Sequence, residues 1–208
     1  MVTFSKEEIK DLAIVIVVIT LLFAYLFSRS SNSLILFLYL IPIAFVGVGL
    51  SFLLHELGHK IIAQKYGFFA EFKKNNRGLL IAIITGLFGF VFLAPGAVYI
   101  GSYTGRITEE ENGKISLGGP VVNIALAILF AGILISIKPF IVYNQFLFYI
   151  GLLCNISFQI NSYLALFNLL PIPPLDGSKV IKWNMPLWIT TIITSGILTY
   201  VSYTIPLL

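Results

Sequence analysis

Charge is what this sequence lacks most. Only 11% of its 208 residues are charged, against 58% hydrophobic, and the mean hydropathy is +0.98. A soluble domain carries roughly 25% charged residues. A chain of this length cannot hide so much apolar surface in a core of its own, so a lipid bilayer is expected as the solvent for much of it. With charge this sparse, the net +4 reports membrane topology and excludes nucleic acid as a partner. Cysteine is nearly missing: Cys154 stands alone, so no intrachain disulfide can form. Histidine occurs twice, at 55 and 59, and aspartate twice, at 11 and 176. Two such distant aspartates do not make the membrane pair that an aspartyl protease needs. No Gly-x-Ser-x-Gly elbow is present either.

What is present is a series of long apolar runs. A bilayer core needs about 20 apolar residues per helix. Leu12–Phe27, Leu34–Leu54, Val121–Ile137, Phe146–Leu170 and Leu187–Ile205 meet that need or nearly do. Leu26-Phe27-Ser28-Arg29 is a poor cleavage site for a signal peptide, so the first run is expected as a retained helix. A sixth run, Leu79–Ile100, carries Pro95 and several glycines, and irregular backbone survives at membrane depth only when buried in protein or lining a cavity. If this run does not cross, one side of the membrane holds eleven of the 13 Lys and Arg, leaving Arg29 and Lys138 on the other. If it crosses once, the split falls to eight against five. The positive-inside rule selects the first arrangement. The fold expected is an all-α polytopic membrane protein of about six hydrophobic segments, in one domain over residues 1–208. A re-entrant or short β-type insert follows the helix that continues Leu34–Leu54 through residues 55–59, and the N-terminus is cytoplasmic. The core is expected over about 34–182, framed by helices at about 12–28 and 187–205. Ser28–Ser33 reads as a solvated loop and Glu109–Glu111 as a solvated acidic turn.

Residues 55–59 read His-Glu-Leu-Gly-His. On a helix, positions four apart share a face, so His55 and His59 can turn toward one ion. Glu56, next to the first ligand, can then reach water at that ion; this is the H-E-x-x-H zinc pattern. Two residues scattered at random in this chain fall four apart in about 1% of cases, and a glutamate directly follows the first in about 3% of those. Ionisable groups within a membrane segment are costly and functional by default. Glu7, Glu8, Asp11, Glu71 and Glu109–Glu111 belong to charged, watery stretches, leaving Glu56 and Asp176 as the acids in apolar surroundings.

A catalytic zinc takes three protein ligands and keeps a fourth position open. Asp176 is the leading third donor by elimination. It follows Pro171, Pro173 and Pro174, which must end the preceding helix and can turn an aspartate back toward the bundle. A helix N-cap before Gly177 is its other reading, and Cys154 is the runner-up donor. The eleven-to-two topology puts His55 and Asp176 near the same membrane face.

His55-Glu56-Leu57-Gly58-His59, Asn168 through Asp176-Gly177, and Gly119-Pro120-Val121-Val122-Asn123 together resemble the site-2 protease family of intramembrane metalloproteases. The resemblance covers about residues 34–182 and implies one zinc per chain, held by His55, His59 and Asp176. It implies Glu56 as the catalytic base, with Asn168 beside it in the chemistry. It also implies transmembrane proteins as substrates, cleaved after local unwinding. The segment Leu93–Tyr99, with Pro95 and Gly96, is the counterpart of a sheet-forming insert that receives substrate, and Asn123 is a further polar residue near the substrate. The expected location is a prokaryotic cell membrane, multi-pass, with the active-site end cytoplasmic. A zinc transporter, or a non-proteolytic scaffold, is the competing reading; the non-ligand Glu56 and the convergence of all donors on one place favour hydrolysis. Oligomeric state is not legible.

Overall fold

The computed structural model describes residues 2–89, 91, 95–102 and 105–204. The elements in chain order are α1 (Lys6–Ser28), α2 (Leu34–Ala44), α3 (Ser51–Lys65), β1 (Phe69–Lys74), α4 (Asn76–Leu87), β2 (Gly96–Gly101), α5 (Glu109–Ile137), α6 (Gln145–Asn168), α7 (Gly177–Trp183) and α8 (Met185–Thr204). A π-helical segment, Phe45–Leu50, joins α2 to α3, so that Leu34–Lys65 runs as one rod. Among the described residues, five helices are long and apolar enough to cross a membrane: α1, this rod, α5 with its 3-10 extension to Tyr143, α6 and α8.

Local chemistry accounts for the ends. Ser5 caps α1 by accepting from the Glu8 amide. Thr108 and Glu111 cap α5 reciprocally, satisfying two of the amides that a helix start leaves open. Thus α5 begins at Glu109, twelve residues before the apolar run, and the acidic triplet forms its first turn, where negative charge suits the helix dipole. Asn144 accepts from the Phe146 and Leu147 amides to start α6. That helix ends at Asn168, just ahead of the three prolines.

The ambiguous run resolves into two pieces. Asn76–Leu87 is a 12-residue helix, and Gly96–Gly101 is a strand antiparallel to β1. Lys74 faces Gly96 across the ladder, and the Asn75 amide donates to the Pro95 carbonyl at 2.7 Å. The chain therefore leaves the sheet after β1 and rejoins it at β2, with α4 between the two strands. The small residues Gly78, Ala82 and Gly86 turn α4 inward, Gly86 onto Leu22 of α1, while Leu80, Ile81, Ile84 and Leu87 are exposed. Phe90, Phe92, Leu93, Ala94 and Ile205, which the sequence-based segments include, lie outside the described residues.

Between membrane helices, where lipid is as apolar as leucine, association depends on close packing of small residues. The α3–α5 seam shows this. A Cβ on Gly58 would lie 2.6 Å from the Gly118 carbonyl oxygen, and one on Gly118 2.7 Å from that of Gly58. On the other flank of α3, Leu12, Val15 and Ile19 of α1 pack with Val48, Phe52, Phe72 and Leu79. The rod of Leu34–Lys65 thus lies between a zinc-motif side (α5, α6, α7) and a sheet side (α1, β1, β2).

Candidate metal centre and active site

His55 and His59 stand one turn apart on α3 and face α5. His55 Nδ1 donates to Asn123 Oδ1 at 2.6 Å, and His59 Nδ1 donates to the Ile115 carbonyl at 2.8 Å. Each ring spends its proton on α5, so each Nε2 presents a lone pair. The Asn123 amide is held the right way round by its neighbours, because Nδ2 donates to Asn161 Oδ1 at 2.9 Å. Asn161 in turn donates to Ser51 Oγ at 2.7 Å and the Ser157 carbonyl at 2.8 Å. Outer hydrogen bonds of this kind fix the tautomer and orientation of a metal-ligating histidine.

Asp176 completes the cluster. Although it sits immediately before α7, its side chain makes no capping bond. It points instead at the histidines, with Oδ2 3.2 Å from His59 Nε2 and 3.5 Å from His55 Nε2. The two Nε2 atoms are 3.1 Å apart.

These three donors fit a zinc ion. Ligands about 2.0–2.2 Å from a tetrahedral zinc stand about 3.3–3.5 Å from one another, and the triangle here has edges of 3.1, 3.2 and 3.5 Å. Two lone pairs and a carboxylate turned on one point repel each other unless a cation sits between them. Space is reserved as well: a Cβ on Gly119 would lie 2.6 Å from both Nε2 atoms. Among the described residues, His55, His59 and Asp176 are the group of three whose ligand atoms lie close enough together to hold one metal ion. Cys154, the runner-up donor, is buried elsewhere, with Leu134 and Ile141.

Glu56 lies on the neighbouring face of α3, toward the sheet, and its Oε2 accepts from the Val98 amide at 3.2 Å. The remaining expected positions are distributed as follows. Asn168, the last residue of α6, donates to its own helix at Leu164 O, 2.9 Å. Asn123, expected near substrate, is 0% exposed and bonded to His55. Pro95 and Gly96 open β2, and Gly96 is a close-packing position, since a Cβ there would meet the Phe72 ring at 2.4 Å.

One expectation is corrected. Glu8 does not sit in a watery stretch: it is 1% exposed and paired with Lys60, also 1% exposed. The sequence held a signal for this. Glu8 continues the stripe Leu12, Val15, Ile19 at helical spacing, on the face that α1 buries. Asn161 likewise falls on the buried stripe Cys154, Ser157, Phe158, Ala165 of α6.

No family model matches the chain, and no solved structure does. Relatives do. A Methanocaldococcus jannaschii protein named "Putative zinc metalloprotease" is 47% identical over 147 residues, covering 70% of this chain and 72% of that protein. A Bacillus subtilis protein of the same designation is 30% identical over 151 residues, 66% of each. A second Methanocaldococcus jannaschii protein, named a zinc metalloprotease, is 28% identical over 144 residues, and the chain spans 33% of its length. With a zinc-shaped donor triangle inside a bundle of membrane-length helices, these relatives leave one assignment: the chain belongs to the site-2 protease family of zinc metalloproteases.

Proposed function

We propose that this enzyme hydrolyses peptide bonds of transmembrane proteins at or within the bilayer. The observation that carries the proposal is the position of the donor triangle and Glu56: His55, Glu56 and His59 are buried on a membrane-length helix, with Asp176 turned onto the histidines from the start of α7 and Glu56 beside the outer edge of a two-stranded sheet.

That edge suits an unwound substrate. Phe72 and Lys74 turn their amides away from β2, to Glu8 and Asp11, so the pairs Phe72–Val98 and Lys74–Gly96 are not hydrogen-bonded to each other. Val98 therefore directs its amide and carbonyl away from β1, the amide to Glu56, and an extended peptide that takes over that amide from Glu56 can add there as a third strand. A substrate helix must first release its own backbone bonds, which selects segments that unwind. Pro95 and Gly96 would flank the bound strand.

His55, His59 and Asp176 would hold the ion, with Asn123 and Ile115 O fixing the rings. When bound, the ion supplies Lewis acidity, which polarises a carbonyl and acidifies water. Glu56 takes the proton from water as it adds to the scissile carbonyl and passes it to the leaving nitrogen. Asn168, to assist at the developing oxyanion, must turn from Leu164 O. The active-site end and the N-terminus face the cytoplasm.

The test is zinc content and cleavage together, in detergent, on a transmembrane peptide that unwinds readily. Wild type is expected to carry about one zinc per chain. Glu56→Gln should keep the metal and lose about 10²–10⁴-fold in rate. Cleavage surviving in that variant removes Glu56 as the base. Bound zinc without cleavage of several peptides would favour the transporter or scaffold reading.

A further inference from the structure

Glu8 and Lys60 are the most deeply buried charges in the described chain, and the chemistry above gives them no task. Lys60 Nζ lies 2.7 and 2.6 Å from the two carboxylate oxygens of Glu8 and 2.9 Å from the Ala70 carbonyl of β1. Glu8 Oε1 also accepts from the Phe72 amide at 3.0 Å. One ion pair therefore ties α1, α3 and β1 together at a single point.

Where that point falls is informative. Lys60 is four residues beyond Glu56, on the same face of α3. Phe72 is directly opposite Val98 in the ladder. The contacts close a ring: Glu56 to Val98, across to Phe72, to Glu8, to Lys60, and back along one helical turn to Glu56. The sheet is thus pinned to α3 at two places, and the pin distant from the metal contains no group with a role in hydrolysis. Burying two charges is costly unless each is fully paired. Here every polar contact of the pair goes to the partner charge or to β1.

We infer that Glu8 and Lys60 are positioning residues: the clamp sets where the sheet lies on the zinc helix and so holds the Val98 amide, and the strand edge around it, against Glu56. This rests on Glu56 being the base. Loosening the clamp lets the sheet shift along α3 while the zinc ligands, held by α5 and α7, stay in place.

The experiment uses the full-length chain in detergent, with Glu8→Gln, Val98→Pro and the two combined. Val98→Pro removes a donor that the ladder does not use, because that amide faces away from β1. Each single variant should retain zinc and lose about tenfold in kcat, and the combination should fall no further than the deeper single, since both cut the same path. Losses that multiply to about a hundredfold overturn the inference. A second readout needs no activity: exchange of the Val98 amide, followed in 15N-valine protein, should accelerate about tenfold or more in Glu8→Gln. Unchanged exchange also overturns it. Where Glu8→Gln does not fold, the swapped pair Glu8→Lys with Lys60→Glu carries the test. It restores opposite charges but gives the Phe72 amide no acceptor at position 8, so kcat should remain low; full recovery would reduce the pair to a structural one. Glu56→Gln is run alongside. Cleavage in that variant sinks the base assignment, whereas a dead Glu56→Gln with multiplying losses sinks the clamp alone.

Discussion

Asn123 illustrates how little a side chain's identity says about its task. In sequence it is a polar residue on an apolar run; in three dimensions its oxygen takes the His55 proton and its amide is locked by Asn161. Asn123→Ala should leave the chain folded and weaken zinc about 10–100-fold, measured by competition with a chelator. Unchanged affinity would mean that His55 keeps its orientation unaided. The residues legible beforehand were those whose spacing is itself chemistry: His55, Glu56 and His59 along one helical turn. Asp176 was reached by elimination, and its unused capping position explains how it is free to point inward. The Glu8–Lys60 pairing is hidden because, although the stripe of α1 marks Glu8 for burial, its partner lies 52 residues away in sequence and carries no local signature.

Among the elements, the five crossing helices follow from composition, because a membrane helix must be long and apolar whatever it packs against. Their ends did not follow so well. The capped, polar first turns of α5 extend it well below the apolar run, and hydropathy does not register a cap. The distribution of lysine and arginine favours a course of Leu79–Ile100 that does not cross, but its division into α4 and β2 depends on the tertiary pairing with β1. The seam of α3 on α5 is fixed by glycine at 58 and 118. Gly58→Val is expected to push the helices apart and separate the histidine pair from Asp176, since α7 packs on α5. Metal analysis of the folded variant should find well under one zinc per chain; full occupancy would show that the seam can open without cost to the centre.

For the molecule as a whole, several polar segments lie together. Ser5 donates to Glu71 at 2.7 Å, an interaction that holds the Glu71 carboxyl below its ordinary range, and Thr3 meets Gln64. The N-terminus, the sheet and the end of the zinc helix thus share one level. With Cys154 replaced by alanine, single cysteines at Ser5, Ser102 and Lys179 should react with an impermeant reagent from one face, and cysteines at Ser31 and Asn144 from the other. Reaction of the first three in inside-out vesicles alone supports the cytoplasmic placement; a split among them would break the proposed topology. The short helix α4 adds a consequence for where a bond is cut. Its 12 residues rise about 18 Å, well short of a bilayer core of about 30 Å. Its outward face is isoleucine and leucine; its N-terminal end follows β1 directly, its other end lies by Leu22 of α1, and the chain rejoins the sheet at Pro95 and Gly96. It acts as a float, immersed by its own apolar surface and carrying β2 at a set draught. A thicker or thinner bilayer changes that immersion at a modest cost per ångström, so under the proposed hydrolysis the depth at which a peptide bond is offered belongs to lipid and chain jointly.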